Sequence, residues 1–250
     1  MVRQGVRVEV TLDSIKNIML TQPKQGYRFS VDALLLENFI SARHLRKGVE
    51  FGAGSGVISI LLAKRYKNIK ILAVEIQKSL AECARQNVKL NGLEDKIEII
   101  IEDIRNLKGI FPANKFDFVF SNPPFRKTKT GLISINEGRA VARHEIKISL
   151  PDLVNTASYL LKNTGKFYLI YHPFRLIEVI GLLHKARLEP KRMRFVHSHR
   201  AGSSAQNSEY AKMVLIEAVK GSGAWLKIDP PFYIYEKGLE YTADMRKVCS

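Results

Sequence analysis

From residue 48 onward, short apolar runs of strand length alternate with longer segments of helical period, and the first run ends in a glycine-rich turn. Val49–Phe51 reads as a short buried strand, leading into Glu50-Phe51-Gly52-Ala53-Gly54-Ser55-Gly56. Val57–Tyr66 is apolar over most of its surface, as a helix packed on a sheet must be. Ile69–Glu75 is largely β-branched. Gln77–Asn91 places Leu80, Ala84 and Val88 on one face, and Asn91-Gly92 stops that helix. Ile97–Ile101 and Phe116–Phe120 are further buried strands. Ser149-Leu150-Pro151-Asp152 has the form of a capping box and opens a helix expected to stop at Asn163-Thr164-Gly165. Lys166–Tyr171 is a fifth strand and Phe174–Ala186 an amphipathic helix. Arg192–Val196 and Lys212–Val219 are joined by the polar stretch Ser198–Ser208, without a helix. That pair is therefore expected to be antiparallel, because a parallel crossover needs a longer connection. The pattern predicts an α/β chain: a doubly wound, mostly parallel, seven-stranded sheet with an antiparallel edge hairpin.

Residues 1–47 are expected to form an N-terminal extension packed on a main domain spanning 48–250. Within it, Val6–Leu12 alternates like a strand, Thr21–Tyr27 is rich in turn residues, and Ser30 caps a helix over Val31–Ile40. At 250 residues the chain can bury a full core. No apolar run reaches the ~18–20 residues needed to span a bilayer, so no membrane association is expected. Met1-Val2-Arg3-Gln4 lacks the apolar stretch of a signal peptide. Cys83 and Cys249 make neither a disulfide framework nor a metal cluster, and a reducing cytoplasm fits best.

Two corners of the sheet carry the chemistry. The first is the glycine turn. Between a strand and a helix, Gly52, Gly54 and Gly56 let the backbone, with Ala53, approach a cofactor closely. Glu50 precedes this turn. Glu75, followed by Ile76, ends the next strand, where an acidic side chain can accept both hydroxyls of a ribose or simply face solvent. Asp103, followed by Ile104, comes after the third strand and can meet an adenine edge or cap a helix. Three such sites after successive parallel strands lie on one edge, where ligands bind in open α/β sheets.

The second corner is Asn122-Pro123-Pro124-Phe125. An exocyclic amine on a heterocycle is a poor nucleophile, since its lone pair is delocalised into the ring. The Asn122 side-chain oxygen and the Pro123 carbonyl can accept its two N–H groups and stabilise the positive charge that develops on attack. Pro123 and Pro124 stiffen the corner. Phe125 offers a ring to the face of the base.

The chain resembles the class I S-adenosylmethionine (SAM)-dependent methyltransferases that methylate amines. More narrowly, it resembles the tRNA adenine-N6 methyltransferases acting on adenine 37 of a valine tRNA. Carrying the resemblance are Gly26–Leu36, the glycine turn, Ser121–Phe125, Ala142-Arg143-His144-Glu145, Pro190–His197 and the tail Tyr233-Ile234-Tyr235. It implies a Rossmann-like fold and a SAM pocket that Phe29 and Asp32 also line. The family pattern commonly has Tyr where this chain has Phe125. Stacking survives that change and a hydroxyl hydrogen bond does not. Some ribosomal RNA guanine-N2 methyltransferases also carry Phe there, so RNA guanine is an alternative target.

The net charge of +16 fits a polyanionic partner, here RNA. Arg126, Lys127 and Lys129 directly follow the corner. Arg143 lies in the resemblance motif. Lys191, Arg192, Arg194 and Arg200 belong to a basic run with interleaved histidines. Each is a candidate phosphate contact or a solvated charge. The histidines show no metal-ligand spacing, so no metal is expected. The reading is methyl transfer from SAM to adenine N6 in RNA. Alternatives are guanine-N2 transfer, glutamine-N5 transfer to a protein, or RNA binding without catalysis. The surplus positive charge disfavours the protein target, and the intact corner disfavours the non-catalytic module.

Overall fold

The structure, a computed structural model, describes residues 10–23, 31–123, 149–200 and 210–250. The first described residues form a hairpin, β1 (Val10–Ile15) and β2 (Ile18–Pro23). Its two-residue turn, Lys16-Asn17, has φ of 46° and 60°, the left-handed pair that matches the twist of the flanking strands. The residues 21–23, expected to be turn, are instead the end of β2. Helix α1 (Val31–Phe39) follows.

The main sheet then builds as the alternation requires. It contains β3 (Lys47–Phe51), β4 (Lys70–Glu75), β5 (Ile97–Ile101), β6 (Phe116–Ser121), β7 (Leu161–Tyr171), β8 (Leu188–His197) and β9 (Met213–Lys220). The order is β8-β9-β7-β6-β3-β4-β5. β5, β4, β3, β6 and β7 are parallel, and β9 runs antiparallel between β7 and β8. The seven expected strands are present with their antiparallel hairpin. Two more were not expected: β10 (Lys227–Ile228) and β11 (Phe232–Tyr233) pair along the outer side of β8, making nine. Strands of two residues are too short to leave a periodic signal. A small hairpin, β12 (Tyr235–Lys237) with β13 (Glu240–Tyr241), lies beyond them.

Helices cover both faces. α1, α2 (Val57–Arg65), α3 (Lys78–Leu90) and the C-terminal α7 (Ala243–Cys249) pack with Phe118, Phe120, Tyr168 and Ile170. α4 (Leu107–Ile110), α5 (Leu150–Leu160) and α6 (Leu176–Lys185) pack with Phe51, Val119, Phe167 and Leu169 on the other. Burial on both faces is why β6 reads as an almost unbroken apolar run. Gly48 is required by this packing: a Cβ there would sit 2.2 Å from the Phe118 ring. Ser149 caps α5 as expected, but the helix ends at Leu160, before the Asn163-Thr164-Gly165 turn. Leu161 already pairs with Phe116, so the ladder of β7 begins before that turn.

Buried side chains tie the N-terminal hairpin to the helices on the main sheet, Asn87 of α3 making the most bonds. Asn87 Oδ1 accepts from the Thr21 amide at 2.7 Å and the Thr21 hydroxyl at 2.8 Å. Asn87 Nδ2 donates to the Thr21 carbonyl at 3.0 Å and to the Ser55 carbonyl at 2.9 Å. The hairpin and the glycine turn therefore share one polar post.

Candidate active site

The glycine turn leaves the carboxyl end of β3 and is pinned to β4. The Gly52 and Ala53 amides donate to the Val74 carbonyl at 2.9 and 3.0 Å. Gly52, Gly54 and Gly56 have φ of 70°, 57° and 82°, a conformation that side-chain-bearing residues rarely adopt. At Gly56 the neighbouring helix is also close: an added Cβ would lie 3.3 Å from the Ala84 methyl. Above Gly52 there is open space within 4 Å.

Glu75 sits at the end of β4 with its carboxylate against this turn. One oxygen accepts from the Gly54 amide at 2.8 Å and the other from the Gln77 amide at 2.9 Å. Burial pushes its carboxyl above the ordinary range, and the amide donors oppose that shift. With Ile76 as a further backbone donor, the carboxylate still keeps acceptor capacity for another hydrogen bond. Glu50 is more deeply buried. Its carboxylate accepts from the Ser59 amide at 3.2 Å and, at short range, from the Ser59 hydroxyl, fixing the start of α2. Burial pushes the Glu50 carboxyl up to about 8. Glu50 thus holds the turn's far end, one layer beneath Glu75.

Asp103 caps a 3₁₀ turn over Ile104–Asn106, accepting from the Arg105 amide at 2.9 Å. The Arg105 guanidinium binds the same carboxylate, and hydrogen bonding to it holds the Asp103 carboxyl below the ordinary range. Its side chain is occupied locally; the Ile104 amide region stays beside the edge. Asp32 lies in the first turn of α1. Phe29 lies outside the described residues.

The second corner adjoins the first. Ser121, the last residue of β6, is the register partner of Phe51, the last of β3. Its buried hydroxyl donates to the Phe51 carbonyl at 2.9 Å. Asn122 and Pro123 follow at once, Asn122 half-buried and Pro123 buried. Pro124, Phe125, Arg126, Lys127, Lys129 and Arg143 lie outside the described residues.

The basic run of β8 is divided by the sheet's register. Ser121 aligns with Leu169, Leu169 with Ile216, and Ile216 with Met193. Lys191 and Arg192 therefore lie below the row of Ser121, and Arg200 lies beyond it on the carboxyl edge. Arg192 is held inside the fold. Its guanidinium stands 4.0 Å over the Phe39 ring, donates to the Phe39 carbonyl, and faces Glu217 and Asp229, each at 3.6 Å. Lys191 donates to the Gly223 carbonyl beside Trp225, and Arg194 donates to the Pro230 carbonyl at 2.9 Å over Phe232. These three cations bind the C-terminal segment to β8. Among the described residues, no group of three or more His, Cys, Asp or Glu is placed to hold a metal, and no helix is long and apolar enough to cross a membrane.

A family model described as the methyltransferase small domain matches residues 30–186. The chain belongs to this methyltransferase family. It is 31% identical over 206 residues to a tRNA1(Val) (adenine(37)-N6)-methyltransferase of Porphyromonas gingivalis, covering 74% of this chain and 78% of the relative. A protein of the same name from Trichodesmium erythraeum is 30% identical over 186 residues, covering 71% and 77%. Among solved structures, a predicted O-methyltransferase from Agrobacterium tumefaciens aligns at a TM-score of 0.66 and 23% identity, covering 87% of this chain and 94% of that one. An N2 methyltransferase of 16S rRNA from T. thermophilus, in complex with AdoMet and guanosine, aligns at 0.55 and 18%, covering 85% and 50%. At these identities the structural likeness shows the fold alone.

The methyltransferase family's cofactor, SAM, fits the residues present on three observations. The positive-φ glycines leave a cradle without side chains. The Ser55 hydroxyl in that turn is buried and finds no hydrogen-bond partner among the described residues. Glu75 keeps acceptor capacity beside Gly54. Sequence reasoning missed Ser59, Asn87 and Ser121, whose bonds fix the positions of the residues it found. Asn87 had a signal: it is a polar residue one position before Val88, on the apolar side of α3.

Proposed function

We propose that this chain transfers a methyl group from SAM to the exocyclic N6 of an adenine in RNA, with adenine 37 of a tRNA anticodon loop as the target. The Ser121–Phe51 hydrogen bond carries this reading. It fastens the strand end that presents Asn122 to the strand end that opens the glycine turn. The names of the relatives from P. gingivalis and T. erythraeum support the choice of base and RNA.

Gly52, Ala53, Gly54 and Gly56 form the cradle, and Glu75 accepts from the ribose hydroxyls. Ile76, the Asp103–Ile104 backbone, Phe29 and Asp32 line the rest, with Glu50 supporting the turn from beneath. Bound SAM supplies an electrophilic methyl group. The Asn122 side-chain oxygen and the Pro123 carbonyl accept the two N–H groups of the target amine. Their negative ends face the nitrogen as it becomes cationic, which lowers the barrier without a general base. The new nitrogen–methyl bond would form as the sulfur–methyl bond of bound SAM broke, and the amine's surplus proton would leave to water. Pro124 stiffens the corner and Phe125 stacks on the base. Loop bases are readily splayed from their neighbours, which suits a pocket that must hold a single base.

Arg126, Lys127, Lys129, Arg143 and Arg200 are proposed phosphate contacts. Lys191, Arg192 and Arg194 hold the C-terminal segment instead. Residues 1–47 are proposed to be an N-terminal extension of the 48–250 domain. Cys83 and Cys249 are unpaired, which agrees with a cytoplasmic location. The test is incubation with isotope-labelled SAM and an anticodon stem-loop transcript, followed by nucleoside mass spectrometry. N6-methyladenosine is the expected product. N2-methylguanosine would overturn the choice of base, and an unmethylated RNA would overturn the reading.

A further inference from the structure

The carboxyl edge of the sheet carries aromatic rings that the methyl-transfer reading leaves unused. Beside β6, strand β7 ends at Tyr171, and the chain turns through His172, Pro173 and Phe174. The His172 and Phe174 rings stack at 5.2 Å and 24°. Phe174 is 68% exposed although it is a large apolar side chain. Farther along the same edge, β8 ends at His197. There Tyr233 of β11 packs on His197 at 5.5 Å, and the Arg200 guanidinium lies 5.3 Å from the Tyr233 ring centre. Tyr210, 74% exposed, opens the described segment just before β9 on this edge.

The second group of rings is firmly held. The Ile234 amide donates to the His197 carbonyl at 3.0 Å and the Tyr235 amide to the Ser198 carbonyl at 2.8 Å. The Thr242 hydroxyl donates to the Tyr233 carbonyl at 2.7 Å. Behind it, Tyr235 lies between His199 at 5.3 Å and Tyr241 at 5.5 Å. His199 is buried and bonded to the Gly238 carbonyl at 2.7 Å. That inner stack is scaffold; the half-exposed Tyr233 and exposed Arg200 are its outer surface. Burial lowers the His197 pKa, which favours the neutral ring, a stacking surface rather than a phosphate partner.

Strand spacing places β8 ~14 Å across the sheet from β6, too far for Tyr233 to touch the base held at Asn122. We propose that His172–Phe174 and His197–Tyr233–Arg200 form a stacking track for unpaired nucleotides that flank the target, making a single-stranded loop, not a duplex, the RNA this enzyme grips. Aromatic rings accept any base face, and an Arg beside a ring holds the adjoining phosphate. A duplex keeps its base faces stacked on one another and cannot use such a track. The proposal rests on the RNA reading above.

The test measures binding of an anticodon-loop RNA, and of the same sequence closed into a duplex, across a salt series. Phe174→Leu and Tyr233→Leu should each weaken loop binding about tenfold, with little effect on the salt slope, because no charge is lost. Tyr233→Phe should bind like the parent. Arg200→Gln should weaken binding and lower the log–log slope by about one unit. SAM affinity should be parental in all four. A 2-aminopurine beside the target base should be quenched on binding the parent enzyme, a readout independent of any variant. Parental loop affinity in both Leu variants, an unquenched probe, or equal loop and duplex affinity would overturn the track. RNA methylated by the parent with parental KM in the Leu variants would sink the track alone. RNA left unmethylated by the parent would sink the underlying reading instead.

Discussion

The hydroxyl of Ser121 donates to the carbonyl of Phe51 at 2.9 Å, joining the last residues of two paired parallel strands. One strand delivers the glycine turn and the other delivers Asn122. The bond therefore sets the separation between the glycine turn and Asn122, the proposed cradle of the methyl donor and the proposed acceptor for the amine. Ser121→Ala removes it and little volume. We expect a stability loss of about 1 kcal/mol, typical of one hydrogen bond. Single-turnover methylation should fall tenfold or more, by about the factor that a small misplacement of reacting groups commonly costs. SAM affinity should stay within a few-fold of the parent. Urea melts and rapid-quench assays separate the two effects.

Glu75 accepts backbone N–H groups on both oxygens, from Gly54 and Gln77. This gives an unusual expectation for its amide. Glu75→Gln must turn its NH2 toward one of those donors, so the isosteric change should weaken SAM binding nearly as much as Glu75→Ala. Loss of charged hydrogen bonds costs ~1.5–3 kcal/mol, or tenfold and more in affinity. Calorimetry is the check. Parental affinity in the Gln variant would show that the carboxylate serves neither turn nor cofactor.

Glu50 controls how stability varies with pH. Its folded-state value of about 8 stands above the ordinary 4.5 of a glutamate. Below the ordinary value both folded and unfolded chains hold the proton. Between the two values the folded chain binds a proton that the unfolded chain has lost, so stability falls as pH rises. Glu75, also raised, acts in the same sense. Glu50→Gln keeps an acceptor for Ser59 and removes the larger titration. Its Tm should change less than the parent's between pH 5 and pH 8 and should exceed it at pH 8. Parallel Tm profiles for the two proteins would refute the assignment.

The sheet was legible because burial on both faces leaves nearly unbroken apolar runs, as in Phe116–Phe120 with Asp117 its one polar residue. The glycine turn was legible because positive φ restricts the residues that fit. The additions β10 and β11 were not, since two-residue strands have no period to read. Charge was the least legible property. Lys191, Arg192 and Arg194 read as one basic patch with Arg200, yet three of them turn to carbonyls, rings and carboxylates of their own chain. A strand's alternation and register decide which cations reach the substrate edge, and neither is written in a count of lysines and arginines. The role of Ser121 was silent for a related reason: its partner, Phe51, is distant in sequence. Asn87 stood out as a polar residue on an apolar helix face, but its partners, Thr21 and Ser55, are equally distant.

The central claim is that the Asn122 corner binds the reacting amine. Asn122→Ala should fold and bind SAM like the parent. The decisive measurement is its single-turnover methylation of an anticodon stem-loop at saturating SAM. A rate lower by ~10²–10³-fold is predicted, the usual cost of one charge-stabilising group in a preorganised site. Methylation at the parental rate would contradict the account.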